Sequence, residues 1–119
     1  MSVERLSKTA LRKILSGKIT EDATCVVKFY SNGCPMCKNL QGDFKDIATK
    51  HDDAYFFAFN IDDYPNVQKL LSFDGVPTIA LIKTGGSTPK IRVLRDPENP
   101  NKDTWYTYSD ISSFISREK

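Results

Sequence analysis

The sequence predicts an α/β fold in which a central mixed β-sheet of four to five strands is flanked by helices on both faces. Segments with helical spacing alternate with short apolar runs, which favours parallel strands connected by helices. Two late apolar runs are separated only by a glycine-rich turn, which favours an antiparallel pair at the end of the sheet. The chain has 119 residues, of which 39% are hydrophobic, and this is enough for one core. We therefore expect a single domain over residues 1–119.

Composition and charge exclude several classes of protein. A hydrophobic content of 39% with 27% charged residues is ordinary for a globular chain and excludes a disordered or fibrous one. The net charge is only +2, whereas nucleic-acid binders usually concentrate positive charge. The longest apolar run, residues 54–59, is too short to span a membrane, and the first residues contain no apolar core of a secretory signal. We expect a cytoplasmic monomer without a nucleic-acid or membrane partner.

The first half of the chain is predicted to alternate strands and helices. The elements are a candidate strand at 3–6, a helix at about 8–16, a strand at 25–30, a helix from 37 to about 50, and a strand at 54–61. The strands are rich in β-branched and aromatic residues, whereas the helices repeat apolar residues every three or four positions. Ser7 is the predicted N-cap of the first helix and Gly17 its end. Gly42 weakens the second helix by about 1 kcal/mol relative to Ala and allows a bend there.

The second half is predicted to end in a hairpin and a helix. The elements are a short helix at 67–71, strands at 78–82 and 91–94, a polar loop at 95–103, and a last helix from 109 to about 117. Glycines at 85 and 86 make the turn between the two strands, which therefore pair antiparallel. Ser109 or Asp110 is predicted to cap the last helix, whose inner face carries Ile111, Phe114 and Ile115.

Cys34 and Cys37 carry the chemistry, because they stand where a strand leads into a helix. If Cys34 begins the helix, free backbone N–H groups stabilise its thiolate and lower its pKa below the ordinary value of about 8.5. Cys37, about one helical turn later, is then placed to attack a mixed disulfide on Cys34 and release the partner as a dithiol. The spacing predicts thiol–disulfide exchange, with Cys34 as nucleophile and Cys37 as resolving cysteine.

The two cysteines have two other interpretations: they form half of a zinc site, or they are unrelated residues. Zinc requires two further ligands, and only Cys25, in a predicted strand, and His51, at a predicted helix end, are soft candidates. We therefore expect no metal. Cys25 itself is predicted to be a small buried hydrophobe.

The segments around the cysteines resemble the thioredoxin superfamily in type, order and separation. The matching segments are Val26–Tyr30, Lys38, Asn60–Asp62, Gly75–Thr78 and Lys83–Gly85. The resemblance covers roughly residues 1–94 and implies a thioredoxin-like fold. It also implies an enzyme that reduces protein disulfides, uses no bound cofactor beyond its redox-active Cys34–Cys37 pair, and receives electrons from a thioredoxin-reductase-type donor.

The resemblance further implies a substrate surface beside the cysteines. In this family the proline that matches Pro77 follows a cis peptide bond, which would turn the Val76 backbone toward the dithiol to pair with an extended substrate. Gly33, Pro35 and Met36 flank the cysteines and complete the expected surface.

Three departures from the family pattern keep other functions open. Gly33 stands where the family commonly has tryptophan, so an aromatic wall of the substrate surface is missing. Pro35 directly follows the first cysteine, as in glutaredoxin, and together with Gly85 and Gly86 it suggests a glutathione-dependent reductase as an alternative. The loop at 95–103 is longer than a thioredoxin-type ending needs. A thioredoxin-fold binding module with incidental redox activity is the other alternative.

Lys28 is the largest departure, since thioredoxins carry a buried acid at this strand position that accepts the proton of the second cysteine. A buried lysine can serve the same purpose if desolvation lowers its pKa far enough. If it stays charged, it instead stabilises the Cys37 thiolate. A lysine whose stem packs in the sheet while its amine reaches water has neither role.

Aromatic residues are predicted to build the core and its edge. These are Phe56, Phe57 and Phe59 in the core, and Trp105, Tyr106 and Tyr108 as cover for the sheet edge or, alternatively, as part of a partner surface.

Overall fold

The computed structural model describes residues 2–119, and in this part of the chain five strands and five helices follow in the predicted order. The strands are β1 (Val3–Arg5), β2 (Thr24–Tyr30), β3 (Tyr55–Asn60), β4 (Thr78–Lys83) and β5 (Lys90–Val93). The helices are α1 (Lys8–Leu15), α2 (Pro35–Asn39), α3 (Gln41–Lys50), α4 (Val67–Leu71) and α5 (Tyr108–Glu118).

The strands form one mixed sheet in the order β1-β3-β2-β4-β5, which confirms the predicted fold class. The neighbours β1, β3 and β2 run parallel, whereas β4 is antiparallel to β2 and β5 is antiparallel to β4. Phe29, near the end of β2, lies opposite Thr78 at the start of β4. The segment after β2, which carries the cysteines, therefore lies close to the segment before β4.

Buried side chains form one cluster on each face of the sheet, because residues along a strand point alternately to the two sides. One face packs against α3 and α5, and the other against α1 and α4. Within β2, Val26 belongs to the first cluster and Val27 to the second. Phe56 and Phe59 are buried as predicted, whereas Phe57 is only partly buried. Because helices cover both faces of the sheet, most residues of β2 are buried at the centre of the fold.

The ends of the first and last helices test the predicted caps. The Ser7 side chain accepts a hydrogen bond from the Ala10 N–H (3.1 Å), and Gly17 follows α1 in the left-handed region (φ 78°), so both predictions are confirmed. The predicted cap of α5 is wrong. Thr107 is the cap: its hydroxyl accepts from the Asp110 N–H (3.1 Å), and the Asp110 carboxylate accepts from the Thr107 N–H (2.9 Å). This reciprocal pair starts the helix earlier than predicted.

The helix predicted from Cys37 to about 50 is two helices, α2 and α3, which meet at the fully buried Leu40. The first begins at Pro35, because proline lacks an N–H and its φ suits the first helical position. The break precedes Gly42, where a bend was expected. In β3 the strand ends at Asn60, because the Asn60 side chain accepts a hydrogen bond from the Asp62 N–H (3.0 Å) and starts a 3₁₀ turn at Ile61–Asp63.

The long segment between β5 and α5 is an ordered loop. Tyr106 is fully buried and its hydroxyl donates to the Leu94 carbonyl (3.2 Å), which closes the loop at its base. Trp105 and Tyr108 pack against the same cluster as Tyr106. The aromatic residues therefore cover the core, as predicted, and burial raises the pKa of Tyr106.

Candidate active site

The disulfide between Cys34 and Cys37 lies at the junction between β2 and α2. Cys34 is the N-cap of α2, and its sulfur accepts a hydrogen bond from the Cys37 N–H (3.1 Å). Cys37 is 3% exposed, whereas Cys34 is half-buried. An incoming disulfide or thiol therefore reaches the Cys34 sulfur first, and the N–H groups at the start of α2 favour negative charge there.

The segment before β4 presents a backbone carbonyl to this sulfur. The Val76–Pro77 peptide bond is cis, and Cys34 Sγ lies 3.8 Å from the Val76 carbonyl oxygen. The segment is held on both sides of Val76: the Gly75 N–H donates to the Gln68 side chain (2.9 Å), and the Thr78 hydroxyl donates to the Gly75 carbonyl (2.7 Å). The cis bond and the approach of Val76 to the cysteines are as the resemblance implied.

The other predicted substrate residues differ in exposure. Gly33 and Pro35 are exposed, Met36 and Val76 are half-buried, and Pro77 is buried. The exposed surface beside Cys34 is thus made by the chain on either side of the cysteine and by the Val76 backbone. Pro77 is buried, so its side chain is not part of the exposed surface.

A cavity of about 180 Å³ lies next to the disulfide. It is lined by Lys28, Tyr30, Ser31, Asn32, Cys34, Cys37, Lys38 and Gln41. Lys28 and the two cysteines are predicted site residues, and all three line this cavity. A larger groove of about 690 Å³, between the end of α4 and β5, contains neither cysteine.

Lys28 is 4% exposed, so its amine does not reach freely into solvent as one of the three interpretations required. Its Nζ lies 5.4 Å from the centroid of the Phe44 ring. Burial lowers the pKa of Lys28 to about 8, because the ammonium loses hydration.

Two hydrogen bonds around the site were not predicted. The Asn60 amide donates to the Asn32 side chain (3.1 Å), which joins the end of β3 to the segment before Cys34. The Asn39 amide donates to the Asp103 carbonyl (2.9 Å), which joins α2 to the loop before α5. Asn60 belonged to the segments that resembled the thioredoxin pattern, but nothing local in the sequence indicated the Asn39 contact, which spans 64 residues.

The residues considered as further metal ligands lie elsewhere. Cys25 is buried on the α1 and α4 side of the sheet, and burial raises the pKa of its thiol. His51 is buried at the end of α3, where its ring contacts the Ser112 hydroxyl (2.9 Å). In residues 2–119, no three His, Cys, Asp or Glu side chains converge on a point that would hold a metal ion. None of the helices in this range is long and apolar enough to cross a membrane.

The sequence matches a family model and several known proteins. A family model described as thioredoxin matches residues 2–100. Thioredoxin H2-2 of Oryza sativa is 28% identical over 87 residues, which are 73% of this chain and 65% of that protein. Thioredoxin H3 of Arabidopsis thaliana is 32% identical over 60 residues, or 50% and 51% of the two chains. The chain thus spans less than two thirds of the length of these two relatives.

Similarity to solved structures extends over nearly the whole chain. The thioredoxin NaTrxh of Nicotiana alata superimposes with a TM-score of 0.69 at 17% identity, covering 99% of this chain and 92% of that one. The Trx4 domain of ERdj5 gives a TM-score of 0.69 at 18% identity, with 98% and 94% coverage. At these identities the likeness establishes the shared fold.

Proposed function

Because the chain belongs to the thioredoxin family, we propose that it is a protein-disulfide reductase that works by thiol–disulfide exchange. The observation that supports this most directly is the Cys34–Cys37 disulfide, whose outer sulfur is the N-cap of α2 and faces the Val76 carbonyl. Cys34 is thus accessible, whereas Cys37 is buried. The Cα atoms of the two cysteines lie 5.3 Å apart.

The reaction starts from the reduced protein. The Cys34 thiolate attacks a substrate disulfide, a mixed disulfide forms, and the first substrate sulfur leaves as a thiolate. The Cys37 thiolate then attacks Cys34, which releases the second substrate sulfur as a thiolate and closes the Cys34–Cys37 bond. The substrate gains two electrons and the protein loses two.

The substrate surface follows from the exposed backbone around Cys34. An extended polypeptide that carries the target disulfide lies along Gly33, Pro35 and Met36 and pairs with the backbone of Val76, while Pro77 supports that segment from inside. Since position 33 carries no side chain, this surface is open on the side before the cysteine.

The proposed partners are disulfide-bearing proteins and a thioredoxin-reductase-type electron donor. The chemistry needs no bound cofactor, because the electrons are held by the two sulfurs. We place the protein in the cytoplasm as a monomer, in keeping with a modest net charge of +2 and a buried apolar core.

A glutathione-dependent reductase loses part of its support. Gly85, which contributed to that alternative, lies against Asp22 before β2, whereas Cys34 follows β2 at the other end of the strand. Of the observations that suggested glutathione, only Pro35 remains at the site.

Cysteine variants test the proposal. With insulin as the protein disulfide and dithiothreitol as the electron source, the wild-type chain is expected to accelerate reduction and Cys34→Ser to abolish the acceleration. Cys37→Ser should accumulate a mixed disulfide on Cys34, visible by mass spectrometry, because the resolving thiol is missing. The matched control, Cys25→Ser, removes a buried thiol on the other face of the central strand and should keep the activity.

Failure of the wild-type chain to exceed the rate of dithiothreitol alone would exclude the reductase. A Cys34→Ser, Cys37→Ser double variant that keeps full biological activity would instead favour the binding module.

A further inference from the structure

Lys28 is a buried cation in the cavity that both cysteines line. Burial lowers its pKa to about 8, which leaves the ammonium as the main form at neutral pH. The Phe44 ring, 5.4 Å from Nζ, offers its negative face to this charge. The oxidised protein therefore holds a poorly hydrated positive charge beside its disulfide.

Among the described residues, no Asp or Glu lines the cavity around this ammonium. The residues opposite Lys28 on the neighbouring strands are Ala58 on β3 and Ile79 on β4. The remaining polar and titratable residues of the cavity are Tyr30, Ser31, Asn32, Cys34, Cys37, Gln41 and Lys38, and the last adds a second positive charge. Within residues 2–119, Lys28 forms no ion pair with a carboxylate.

Reduction of the disulfide creates an anion in this same cavity. Cys37, at 3% exposure, is the more buried of the two cysteines and lines the same cavity as Lys28. An ammonium and a thiolate attract each other more strongly here than in water, because the effective dielectric constant of a buried site is lower. Each charge also offsets the desolvation cost of the other.

We propose that Lys28 is the counter-charge of the Cys37 thiolate in the reduced protein, and that this pair biases the Cys34–Cys37 couple toward the dithiol state. The inference rests on the proposed function and adds to it a residue that sets how strongly the protein reduces its substrates. Because the charge stabilises only the reduced form, the protein is a weaker reductant than the same fold without it. Lys28 acts through Cys37 and is a positioning residue.

Reduction by two molecules of glutathione shows where the bonds and protons go. The Cys34–Cys37 bond breaks and one disulfide bond forms between the two glutathione sulfurs, so the protein gains two electrons and glutathione loses two. Of the two glutathione thiol protons, one passes to water and one goes to Cys34, which ionises again before it attacks the next substrate disulfide. Cys37 remains a thiolate beside the Lys28 ammonium.

The first measurement is the pKa of the Cys37 thiol in a Cys34→Ser background, which cannot form the internal disulfide. The rate of alkylation by iodoacetamide is followed against pH, and modification of Cys37 is separated from that of Cys25 by mass spectrometry. Adding Lys28→Met, which keeps the length of the side chain and removes its charge, should lower the rate at pH 7 about tenfold or more, since one pKa unit changes the thiolate population tenfold.

The second measurement is the equilibrium of the otherwise wild-type chain with reduced and oxidised glutathione. Lys28→Met should shift the equilibrium about tenfold toward the Cys34–Cys37 disulfide, which corresponds to about 30 mV for this two-electron couple. Lys28→Arg keeps the charge and should retain wild-type behaviour in both measurements. Lys45→Met, on the exposed face of α3, is the control for loss of a lysine elsewhere.

Two results would overturn the inference: a Cys37 thiol pKa unchanged by Lys28→Met, or a Lys28→Arg chain that shifts as far as Lys28→Met, which would point to packing. Circular dichroism verifies that each variant is folded, and Lys28→Gln replaces Lys28→Met if the latter does not fold. The alkylation measurement does not depend on disulfide exchange. It therefore still tests the role of Lys28 if the chain proves not to reduce protein disulfides.

Discussion

At the scale of single residues, His51 is a titratable group that the reaction does not use. Its ring is 4% exposed, with Nε2 2.9 Å from the Ser112 hydroxyl and Nδ1 2.9 Å from the Lys119 ammonium. Lys119 also donates to Asp53 (3.0 Å). Since an ammonium only donates, Nδ1 accepts and Nε2 carries the proton, so the neutral ring joins the ends of α3 and α5.

This arrangement predicts a loss of stability in mild acid. Burial is the main cause that lowers the pKa of His51 below its ordinary value, followed by the positive charge of Lys119. The unfolded chain then binds a proton at higher pH than the folded one, so the free energy of unfolding falls as pH decreases through the unfolded pKa of about 6.5. Urea denaturation at pH 8 and pH 5.5 measures the change.

His51→Gln supplies the control for this titration, because it cannot ionise. Its free energy of unfolding should differ between the two pH values by less than that of the wild-type chain. An equal pH dependence in the two chains would show that His51 does not contribute.

Local residue chemistry explains which parts of the fold and the site are predictable from the sequence. Ser7, Gly17 and the Cys34–Cys37 spacing act within a few residues of themselves, so the ends of α1 and the redox pair are evident before folding. The position of Lys28 was evident too, but whether its amine lies in a cavity or in water depends on α2 and α3 closing over β2. Contacts such as His51 with Ser112, separated by 61 residues, have no local signal.

At the scale of elements, the start of α5 depends on a reciprocal cap. Both Thr107 and the predicted Ser109 are small hydroxyl residues near the boundary, so composition alone does not distinguish them. Asp110 distinguishes them, because its carboxylate accepts a hydrogen bond from the Thr107 N–H. The break at Leu40 lies two residues before Gly42, where the sequence predicted a bend, and neither glycine nor proline stands at position 40 to mark it.

Replacement of the cap tests this assignment. Thr107→Ala is expected to lower the free energy of unfolding by about 1 kcal/mol, because the Asp110 N–H loses its acceptor. Ser109→Ala, the matched change at one of the two predicted cap positions, should alter it by less than about 0.5 kcal/mol. Guanidinium denaturation of both variants gives the comparison. A larger loss from Ser109→Ala would reverse the assignment.

At the scale of the whole molecule, the site is assembled from segments far apart in the chain. The cysteines follow β2, Val76 precedes β4, and the loop before α5 reaches α2 through Asn39 and Asp103. The resemblance to the thioredoxin superfamily implied that the segment containing Val76 approaches the cysteines, but it did not imply the contact between the loop and α2. A polar loop carries no periodicity that would place it.

Asn39 therefore tests whether that loop is held by the active-site helix. Asn39→Ala removes the hydrogen bond to the Asp103 carbonyl, which is worth about 1 kcal/mol. Hydrogen exchange should accelerate at residues 101–105, while amides in β2 and β3 keep their protection, because those strands open only on global unfolding. Asn66→Ala is the matched control: Asn66 is exposed and makes no side-chain cap bond at the start of α4. Faster exchange in the strands as well would show that Asn39 supports the whole fold. Exchange confined to the loop would show that the loop opens independently of the sheet, so that its contact with α2 holds the loop without supporting the core.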